Sequence, residues 1–371
     1  MERMVLGVSK NRFREYGFTV GHLPTGKHNC ITDVTGVTVG HVTLNTNDQD
    51  ICIRTGVTAI LPHQGNLFRQ KVVAATHVIN GFGKTSGLVQ VNELGSIESP
   101  IMLTNTFSVP AVTEGTIQYM MELDAGIGDR DGSLNVVSGE CNDKFLNDMR
   151  GLHVRPEHAI EAIGKAKLAQ PVEEGSVGAG TGMVCFGWKG GIGTSSRMVE
   201  VDGQSYHFGV LVLTNFGVGE DLILLGHPVG RRLKEKAEAK TQERGNNDGS
   251  IIIVVGTDLP MDARQLQRVA KRAGFGLGRT GSIAHHGSGD IVIAFCNGNL
   301  IPHTPESNFI QIKVVREDGP TISECFRAVA EATEEAIYNS LFMAQTILGR
   351  NGKEVHALPV EEVVQMMRCM K

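Results

Sequence analysis

Aromatic residues and net charge are both low in this chain of 371 residues: aromatics make up 5%, and the formal net charge is −5. Without a broad basic surface or many rings for base stacking, nucleic acid is not an expected partner. No apolar run approaches the roughly 20 residues of a membrane-spanning helix, and the N-terminal stretch does not resemble a secretion signal. The composition therefore predicts a globular protein that does not cross a membrane.

Paired cysteines and the common hydrolase motifs are also missing. The seven cysteines are scattered, odd in number and never in CxxC spacing, which is typical neither of a disulfide framework nor of a zinc knuckle. We therefore expect reduced thiols and a cytoplasmic location. No HExxH or GxSxG string occurs, so a zinc protease pair and an α/β-hydrolase nucleophile elbow are excluded.

Two glycine-rich strings resemble nucleotide-binding motifs but lack the required context. Gly276–Gly281 matches GxGxxG, but it follows a predicted helix and leads into a predicted strand, so we interpret it as a glycine-rich turn. Gly81–Thr85 ends like a P-loop, but Val78 stands where the first glycine is needed. His285 and His286 lack a second ligand pair, and we interpret them as ordinary surface or packing residues.

Apolar periodicity predicts strands and helices that alternate along the chain. Such mixing indicates a layered α/β arrangement of the helix, sheet, sheet, helix type, and no convincing linker divides residues 1–371 into separate domains. The predicted strands are Val34–Val42, Gly182–Trp188, Ile192–Val201, His207–Asn215, Ile251–Val255, Asp290–Cys296 and Phe309–Val315, and the predicted helices are Pro156–Ala169, Arg231–Arg244, Asp262–Ala273 and Thr321–Leu348.

The sharpest change in composition lies at Ser250. The polar loop Gly245–Gly249 (GNNDG) precedes it, and the β-branched run Ile251–Val255, typical of a strand buried on both faces, follows it. By itself the string Asn246–Ser250 is most often a simple turn, because Asn, Asp and Gly favour turns.

A functional interpretation of the same string is self-cleavage. The Ser250 hydroxyl would attack the carbonyl of Gly249, which has no Cβ to block its approach. Hydrolysis of the resulting ester would free the Ser250 α-amino group, whose pKa of about 7.7–8.0 suits it to act as a base toward the adjacent hydroxyl without a histidine.

Many further segments, in the right order along almost the whole chain, resemble the L-aminopeptidase D-amidase/D-esterase family, which includes the β-peptidyl aminopeptidases. These segments are Ile31–His41, Glu93–Asn105, Ser138–Asp143 with Leu146–Asp148, Gly178–Gly182, Val210–Gly217, Asn247–Val255, Arg279–Ser282 and Gly287–Asp290.

The resemblance implies a four-layer αββα sandwich like that of the N-terminal-nucleophile (Ntn) hydrolases, with different chain connectivity. It implies cleavage between Gly249 and Ser250 into an α chain, 1–249, and a β chain, 250–371. Such αβ pairs would assemble as homo-oligomers, with a tetramer favoured. The expected reaction removes an N-terminal residue from a peptide, amide or ester with a free amino terminus, and needs neither a metal nor an organic cofactor.

The resemblance also assigns roles to individual residues. Ser250 would be the nucleophile, Ser288 would hydrogen-bond near its hydroxyl or amine, and the acid at position 290 would orient the pair. Asp290 stands there, one methylene shorter than the glutamate expected. Asn215 matches the side-chain donor of the oxyanion hole.

Two further assignments concern the groups that would hold the substrate. The Gly289 backbone is expected as a second donor to the oxyanion. Glu140 is the candidate for binding the substrate's ammonium group. Without the resemblance, Glu140 would be an ordinary surface carboxylate and Asn215 a residue of a strand-end turn.

Two alternatives stay open at this stage. An acyltransferase of the ornithine acetyltransferase type uses a related self-cleaving fold, but those enzymes carry threonine where this chain has Ser250. An uncleaved, non-catalytic relative would retain an intact bond between Gly249 and Ser250.

Overall fold

The computed structural model describes residues 10–48, 51–166, 172–236 and 249–369. The helices follow the amphipathic spacing of their sequences, and several are bounded by residues suited to helix ends; Asp262, for example, accepts a hydrogen bond from the Gln265 backbone N–H at the start of α5. The described helices are α1 (Leu88–Leu94), α2 (Val109–Leu123), α3 (Pro156–Ala166), α4 (Val229–Lys236), α5 (Ala263–Arg279), α6 (Thr321–Phe342) and α7 (Val360–Arg368).

Most of the strands form two mixed sheets. The first sheet has the order β1-β2-β6-β7-β4 and the second has the order β10-β11-β12-β13-β3-β5. The strands of the first sheet are β1 (Thr38–Asp48), β2 (Ile51–Leu61), β4 (Thr85–Ser86), β6 (Ile101–Asn105) and β7 (Val137–Cys141). Those of the second are β3 (Gln70–Gly81), β5 (Ser96–Ile97), β10 (Ile192–Val201), β11 (Gln204–Asn215), β12 (Ser250–Thr257) and β13 (Gly289–Pro302). Two small hairpins pair β8 (Val184–Cys185) with β9 (Trp188–Lys189), and β14 (Ile347–Leu348) with β15 (Glu354–Val355).

Three apolar cores lie between four layers. One core joins the two sheets, a second lies between the second sheet and α5, α6 and α7, and a third lies between the first sheet and α2 and α3. The predicted αββα sandwich is confirmed. It follows from burying both faces of each sheet, one against the other sheet and one against helices.

The strand after Ser250 is buried on both faces, as its continuous apolar run predicts. Ile251, Ile253 and Val255 lie in the core shared with the helices, whereas Ile252 and Val254 lie in the core between the sheets. This central strand carries Ser250 at its first position, so the site is attached to the most deeply buried part of the fold.

The boundaries of several predicted elements need correction. The first strand begins at Thr38 rather than Val34, because the preceding residues form a 3-10 turn. The predicted strand Gly182–Trp188 is instead interrupted by a tight turn in which Gly187 has a φ of 79°. The strands at Ile192–Val201 and His207–Asn215 are confirmed, the second beginning at Gln204.

The prediction of a strand at Phe309–Val315 was wrong. This segment pairs with no strand in the described chain, and Phe309 is 86% exposed. Side chains satisfy part of its backbone instead: Asn299 bonds to Lys313, and Gln265 bonds to Val315. Alternation of apolar residues therefore does not show whether a segment has a partner strand to pair with.

Two helical predictions also had wrong ends. Helix α6 stops at Phe342 and not at Leu348, because Ile347 and Leu348 form a hairpin with Glu354 and Val355. Helix α5 continues to Arg279, past the predicted end at Ala273.

The GxGxxG string is therefore not simply a turn. Gly276 and Gly278 belong to the last turns of α5, and only Gly281 lies in the turn, with a φ of 100°. A Cβ at Gly276 would lie 2.4 Å from the Ala330 carbonyl oxygen, so this glycine allows α5 and α6 to approach closely.

Two other predictions fall partly outside the described residues. The helix predicted at Pro156–Ala169 is described to Ala166, and that predicted at Arg231–Arg244 is described from Val229 to Lys236. Residues 245–248 of the polar loop, including Asn246, Asn247 and Asp248, lie outside the described ranges.

Candidate active site

Three neighbouring strands bring their ends together at Ser250. Ser250 begins β12, its antiparallel neighbour on β11 is Asn215, and its parallel neighbour on β13 is Gly289. Antiparallel and parallel pairing on the two sides of β12 place the end of one strand beside the starts of two others. Ser250 is only 6% exposed. Residues far apart in the sequence are thus adjacent where the ends of β11, β12 and β13 meet in the second sheet.

The Gly289 backbone N–H faces the bond before Ser250. Its nitrogen lies 3.2 Å from the Gly249 carbonyl oxygen and 3.2 Å from Ser250 Oγ, and it donates to both. A Cβ at Gly249 would lie 2.5 Å from the Asn215 carbonyl oxygen and 2.6 Å from Phe216 Cα. Only glycine at position 249 therefore fits this close approach to the end of β11.

The pair Ser288 and Asp290 lies directly beside Gly289 at the start of β13. Ser288 Oγ donates to Asp290 Oδ1 at 2.5 Å, and both side chains are buried. Burial raises the pKa of Asp290 to about 6, although the hydrogen bond from Ser288 acts in the opposite direction. The shorter acid at position 290 thus reaches Ser288.

The carboxamide of Asn215 is oriented by two backbone groups. Its Oδ1 accepts from the Val184 N–H at 3.0 Å, and its Nδ2 donates to the Asn142 carbonyl oxygen at 2.9 Å. Because Val184 offers only a donor and Asn142 only an acceptor, this arrangement determines which end of the amide is the donor. Asn215 therefore presents an oriented NH₂ group at the strand end next to Ser250.

Glu140 is a buried carboxylate on β7 rather than an ordinary surface residue. Its Oε1 accepts from the Lys84 backbone N–H at 2.9 Å, and its Oε2 accepts from the Thr106 hydroxyl. Burial raises its pKa, and the Thr106 and Lys84 donors partly oppose that effect. Each oxygen has a second lone pair, so the carboxylate retains capacity for a further donor.

A short loop connects Glu140 with the strand start at Gly289. Lys84, whose backbone binds Glu140, follows Gly83, and a Cβ at Gly289 would lie 2.5 Å from Gly83 Cα. The Phe82 N–H also donates to the Ser288 carbonyl oxygen at 3.2 Å. The rejected P-loop string Gly81–Thr85 is thus part of the framework of this site.

The structure brings together Ser250, Gly249, Asn215 and the Ser288–Asp290 segment, and links Glu140 to them through the loop; the roles of these residues stay predictions. Sequence reasoning missed the groups that orient them, namely Lys84, Thr106, Val184 and Asn142. The only available signal was the glycine string at residues 81–85. Within the described ranges, no three His, Cys, Asp or Glu side chains cluster closely enough to hold a metal ion.

Comparisons with known proteins cover nearly the whole chain. Residues 29–355 match the family described as Peptidase family S58. The chain is 41% identical over 372 residues to the beta-peptidyl aminopeptidase BapA of Sphingosinicella microcystinivorans, with 96% of this chain and 92% of that protein covered.

Two solved structures share the fold. The Burkholderia sp. beta-aminopeptidase is 38% identical with a TM-score of 0.89, covering 96% of this chain and 98% of that one. The L-aminopeptidase D-Ala-esterase/amidase from Ochrobactrum anthropi is 32% identical with a TM-score of 0.86, covering 96% of this chain and 99% of that one. The latter structure is described as a new variant of the Ntn hydrolase fold.

The sandwich, the buried serine at the start of a central strand and these similarities define an N-terminal-nucleophile hydrolase with aminopeptidase activity. The chain belongs to peptidase family S58. None of the helices in the described part of the chain has the length and apolarity needed to span a bilayer.

Proposed function

We propose that this aminopeptidase processes itself between Gly249 and Ser250, and that Ser250 is then the nucleophile toward its substrates. The observation that carries this proposal is the single Gly289 N–H that lies 3.2 Å from both the Gly249 carbonyl oxygen and Ser250 Oγ. A donor at this position stabilises negative charge that develops on the carbonyl oxygen when the hydroxyl attacks.

Self-cleavage proceeds by an N-to-O acyl shift. Ser250 Oγ bonds to the Gly249 carbonyl carbon, the bond from that carbon to the Ser250 nitrogen breaks, and the hydroxyl proton ends on the nitrogen. Water hydrolyses the resulting ester, leaving a Gly249 carboxylate and a free Ser250 amino group. The product is an α chain, 1–249, and a β chain, 250–371, that together form one folded domain.

During turnover the freed amine acts as the base. An α-amino group has a pKa of about 7.7–8.0, so a substantial part is neutral near pH 7.5 and takes the proton of Ser250 Oγ. The hydroxyl oxygen attacks the substrate carbonyl, and the leaving amine or alcohol receives a proton. Asn215 Nδ2 and the Gly289 N–H are the proposed donors to the oxyanion, and water then hydrolyses the acyl-enzyme.

Glu140 is the proposed partner of the substrate's ammonium group. The contacts with Lys84 and Thr106 hold the carboxylate in place, and a charge-assisted hydrogen bond to the ammonium would select substrates with a free amino terminus. The proposed substrates are therefore peptides, amides or esters whose first residue carries a free amine. Ser288 and Asp290 orient the nucleophile in this scheme.

The proposal also covers the assembly and the cellular location of the protein. We infer a homo-oligomer of αβ pairs, with a tetramer favoured, from the family resemblance. The seven free cysteines suit a reducing cytoplasm. Light scattering of the purified protein measures the oligomeric state, and fractionation of cells measures the location.

Ser250→Ala tests the proposal, with Ser323→Ala on the exposed side of α6 as the matched control. Intact-mass analysis of the wild type and the control should show the masses of residues 1–249 and 250–371 as separate species. Ser250→Ala should show one full-length mass and no release of aniline from aminoacyl anilides. A processed Ser250→Ala protein would contradict the mechanism.

The same samples separate the two alternatives. A wild-type chain that stays intact and inactive would indicate a non-catalytic relative. Transfer of an acetyl group from acetylated ornithine to glutamate, without hydrolysis of aminoacyl anilides, would indicate the acyltransferase. A panel of anilides with α- and β-amino acids of both hands then establishes the substrate preference.

A further inference from the structure

Asn80 lies at the end of β3 and contacts the turn that precedes Ser288. Its Nδ2 lies 3.0 Å from the His285 carbonyl oxygen, 3.0 Å from that of His286 and 2.5 Å from that of Ser288. One NH₂ group has two hydrogens, so the three acceptors share them. The carboxamide thus gathers the backbone carbonyls of residues 285–288 around a single donor group.

A β-bulge brings Asn80 to this position. On β13, Asp290 and Ile291 are consecutive, but their partners on β3 are Asn80 and Val78, so Ile79 is an extra residue. A one-residue shift changes the face on which the following side chains lie, and bulges next to active sites commonly redirect a side chain in this way. Without the bulge, Asn80 would not be the partner of Asp290.

The loop after Asn80 supports the same turn through a second donor. The Phe82 N–H donates to the Ser288 carbonyl oxygen, the acceptor that Asn80 also binds. Gly83 packs so closely on Gly289 that neither position has room for an unhindered Cβ. The bulge, Asn80 and the loop therefore form one support for the peptide between Ser288 and Gly289.

We propose that Asn80 is a positioning residue for catalysis: by binding the carbonyls of His285, His286 and Ser288, it sets the position of the Gly289 N–H and of the Ser288 hydroxyl. This proposal rests on the proposed function, in which the Gly289 N–H serves the oxyanion. Asn80 does not itself touch the reacting atoms.

The chemistry of the contact requires a donor at position 80. Three carbonyl oxygens converge on Nδ2, so an acceptor at that position would be repelled by all three. Asn80→Asp keeps the size and shape of the side chain but replaces the NH₂ group with a carboxylate oxygen. The turn must then shift, and misplacement of a reacting group by about 1 Å costs on the order of 10²-fold in rate.

Asn297→Asp is the matched control. Asn297 is also half-buried and its Nδ2 also bridges backbone carbonyls, those of Thr35 and Pro62, but it lies in the second half of β13, away from Gly289. Both variants lose a carboxamide that joins distant segments, so both should lose similar stability. Only Asn80→Asp should change the chemistry at Ser250.

The experiment measures kcat, KM, the rate of self-cleavage and the melting temperature of wild type, Asn80→Asp, Asn80→Ala and Asn297→Asp. We expect kcat or self-cleavage to fall about 10²-fold in Asn80→Asp. The fall should be smaller in Asn80→Ala, which removes the donor without adding an acceptor. KM should stay within about twofold of wild type. If Asn80→Asp remains a single chain, kcat cannot be measured and the self-cleavage rate is the readout. Self-cleavage should depend on Asn80 as well, because the Gly289 N–H also binds the Gly249 carbonyl oxygen.

Equal kcat and self-cleavage rates in the two Asp variants would overturn the proposal. So would losses in Asn80→Asp and Asn80→Ala that track the fall in melting temperature alone, as a purely structural role requires. If wild type and Asn297→Asp neither cleave themselves nor turn over substrate, the Ser250 mechanism has failed. If they do both and Asn80→Asp behaves like Asn297→Asp, only the role of Asn80 has failed.

Discussion

Asp290 shows how a shorter side chain can reach Ser288 from a position where the family resemblance led us to expect glutamate. Its carboxylate still accepts a hydrogen bond from Ser288 at 2.5 Å, because Ser288 lies only two residues away in the same strand start. Burial makes the charged form costly and raises its pKa to about 6. The ionised form is the better acceptor for the Ser288 hydroxyl.

The first prediction concerns pH. Because the pKa of Asp290 is raised, its carboxylate is protonated as the pH falls through about 6, well above the range of an exposed aspartate. We expect kcat to fall as the Ser250 α-amino group is protonated below about pH 8, and to fall more steeply below about pH 6, where Asp290 is protonated as well. The steeper part should be absent in Asp290→Asn, whose activity is low throughout. A pH profile of kcat for the processed enzymes measures this; a limb of the same steepness below about pH 6 in wild type and Asp290→Asn would contradict it.

The second prediction concerns Gly249. In Gly249→Ala, the new Cβ would meet backbone atoms of Asn215 and Phe216, which cannot move without disturbing β11. We expect self-cleavage to slow at least about tenfold, since the scissile carbonyl is displaced from the Gly289 N–H. Gly319→Ala, where a Cβ meets no atom within 4 Å, is the control. Time courses of intact mass measure both, and equal rates would refute the steric argument.

At the scale of elements, helix α5 contains two glycines with opposite roles. Gly276 faces α6, where a Cβ would meet the Ala330 carbonyl oxygen at 2.4 Å and Thr333 Cβ at 2.7 Å. Gly278, two residues further on, is exposed and has no atom within 4 Å of a Cβ. The same residue type therefore permits close helix packing at one position and only adds backbone freedom at the other.

The third prediction follows from this contrast. Gly276→Ala should lower the free energy of unfolding by about 1–3 kcal/mol through overpacking. Gly278→Ala should raise it by about 0.5–1 kcal/mol, because alanine loses less backbone entropy in a helix. Urea unfolding of both variants measures these changes; if Gly276→Ala also raised the free energy of unfolding, the α5–α6 contact would adapt to the added methyl group and the overpacking argument would be wrong.

At the scale of the whole molecule, cleavage after residue 249 would leave two chains that cannot separate without unfolding. Strand β12 of the second chain lies between β11 of the first and β13, and β13 in turn pairs with β3 of the first. Buried ion pairs add to the shared core: Arg197 bonds to Glu331 at 3.2 Å and to Glu335 at 2.7 Å. Arg14 also pairs with Glu335 at 2.7 Å.

The fourth prediction tests this buried cluster. Arg197→Met leaves Glu331 and Glu335 without their shared, fully buried cation, and removing one member of such a cluster typically costs about 3–5 kcal/mol. We expect the wild-type fragments to co-elute in gel filtration without denaturant, and the Arg197→Met fragments to separate at a lower urea concentration. Lys165→Met, which breaks the exposed pair with Glu161, is the control and should change stability little.

Sequence by itself determined the features that depend on neighbours along the chain. The polar loop followed by Ile251–Val255 located Ser250 at the start of a strand buried on both faces, and alternation located β10 and β11. Buried side chains recur along the sequence with the period of the element that carries them. These elements and the layered α/β class could therefore be inferred from local sequence. The family resemblance then supplied the roles that we propose for Asn215, Ser288 and Glu140.

Only the tertiary structure decided which groups meet at Ser250. The Gly289 N–H reaches Gly249 because β13 runs parallel to β12 in this register. The register between two strands cannot be read from the sequence of either strand alone. Asn80 reaches the Ser288 turn because of one extra residue in β3, and Phe309–Val315 finds no partner strand although it has the required alternation. Periodicity reports which face of an element is buried, whereas pairing between distant segments depends on the sheet order of the whole fold.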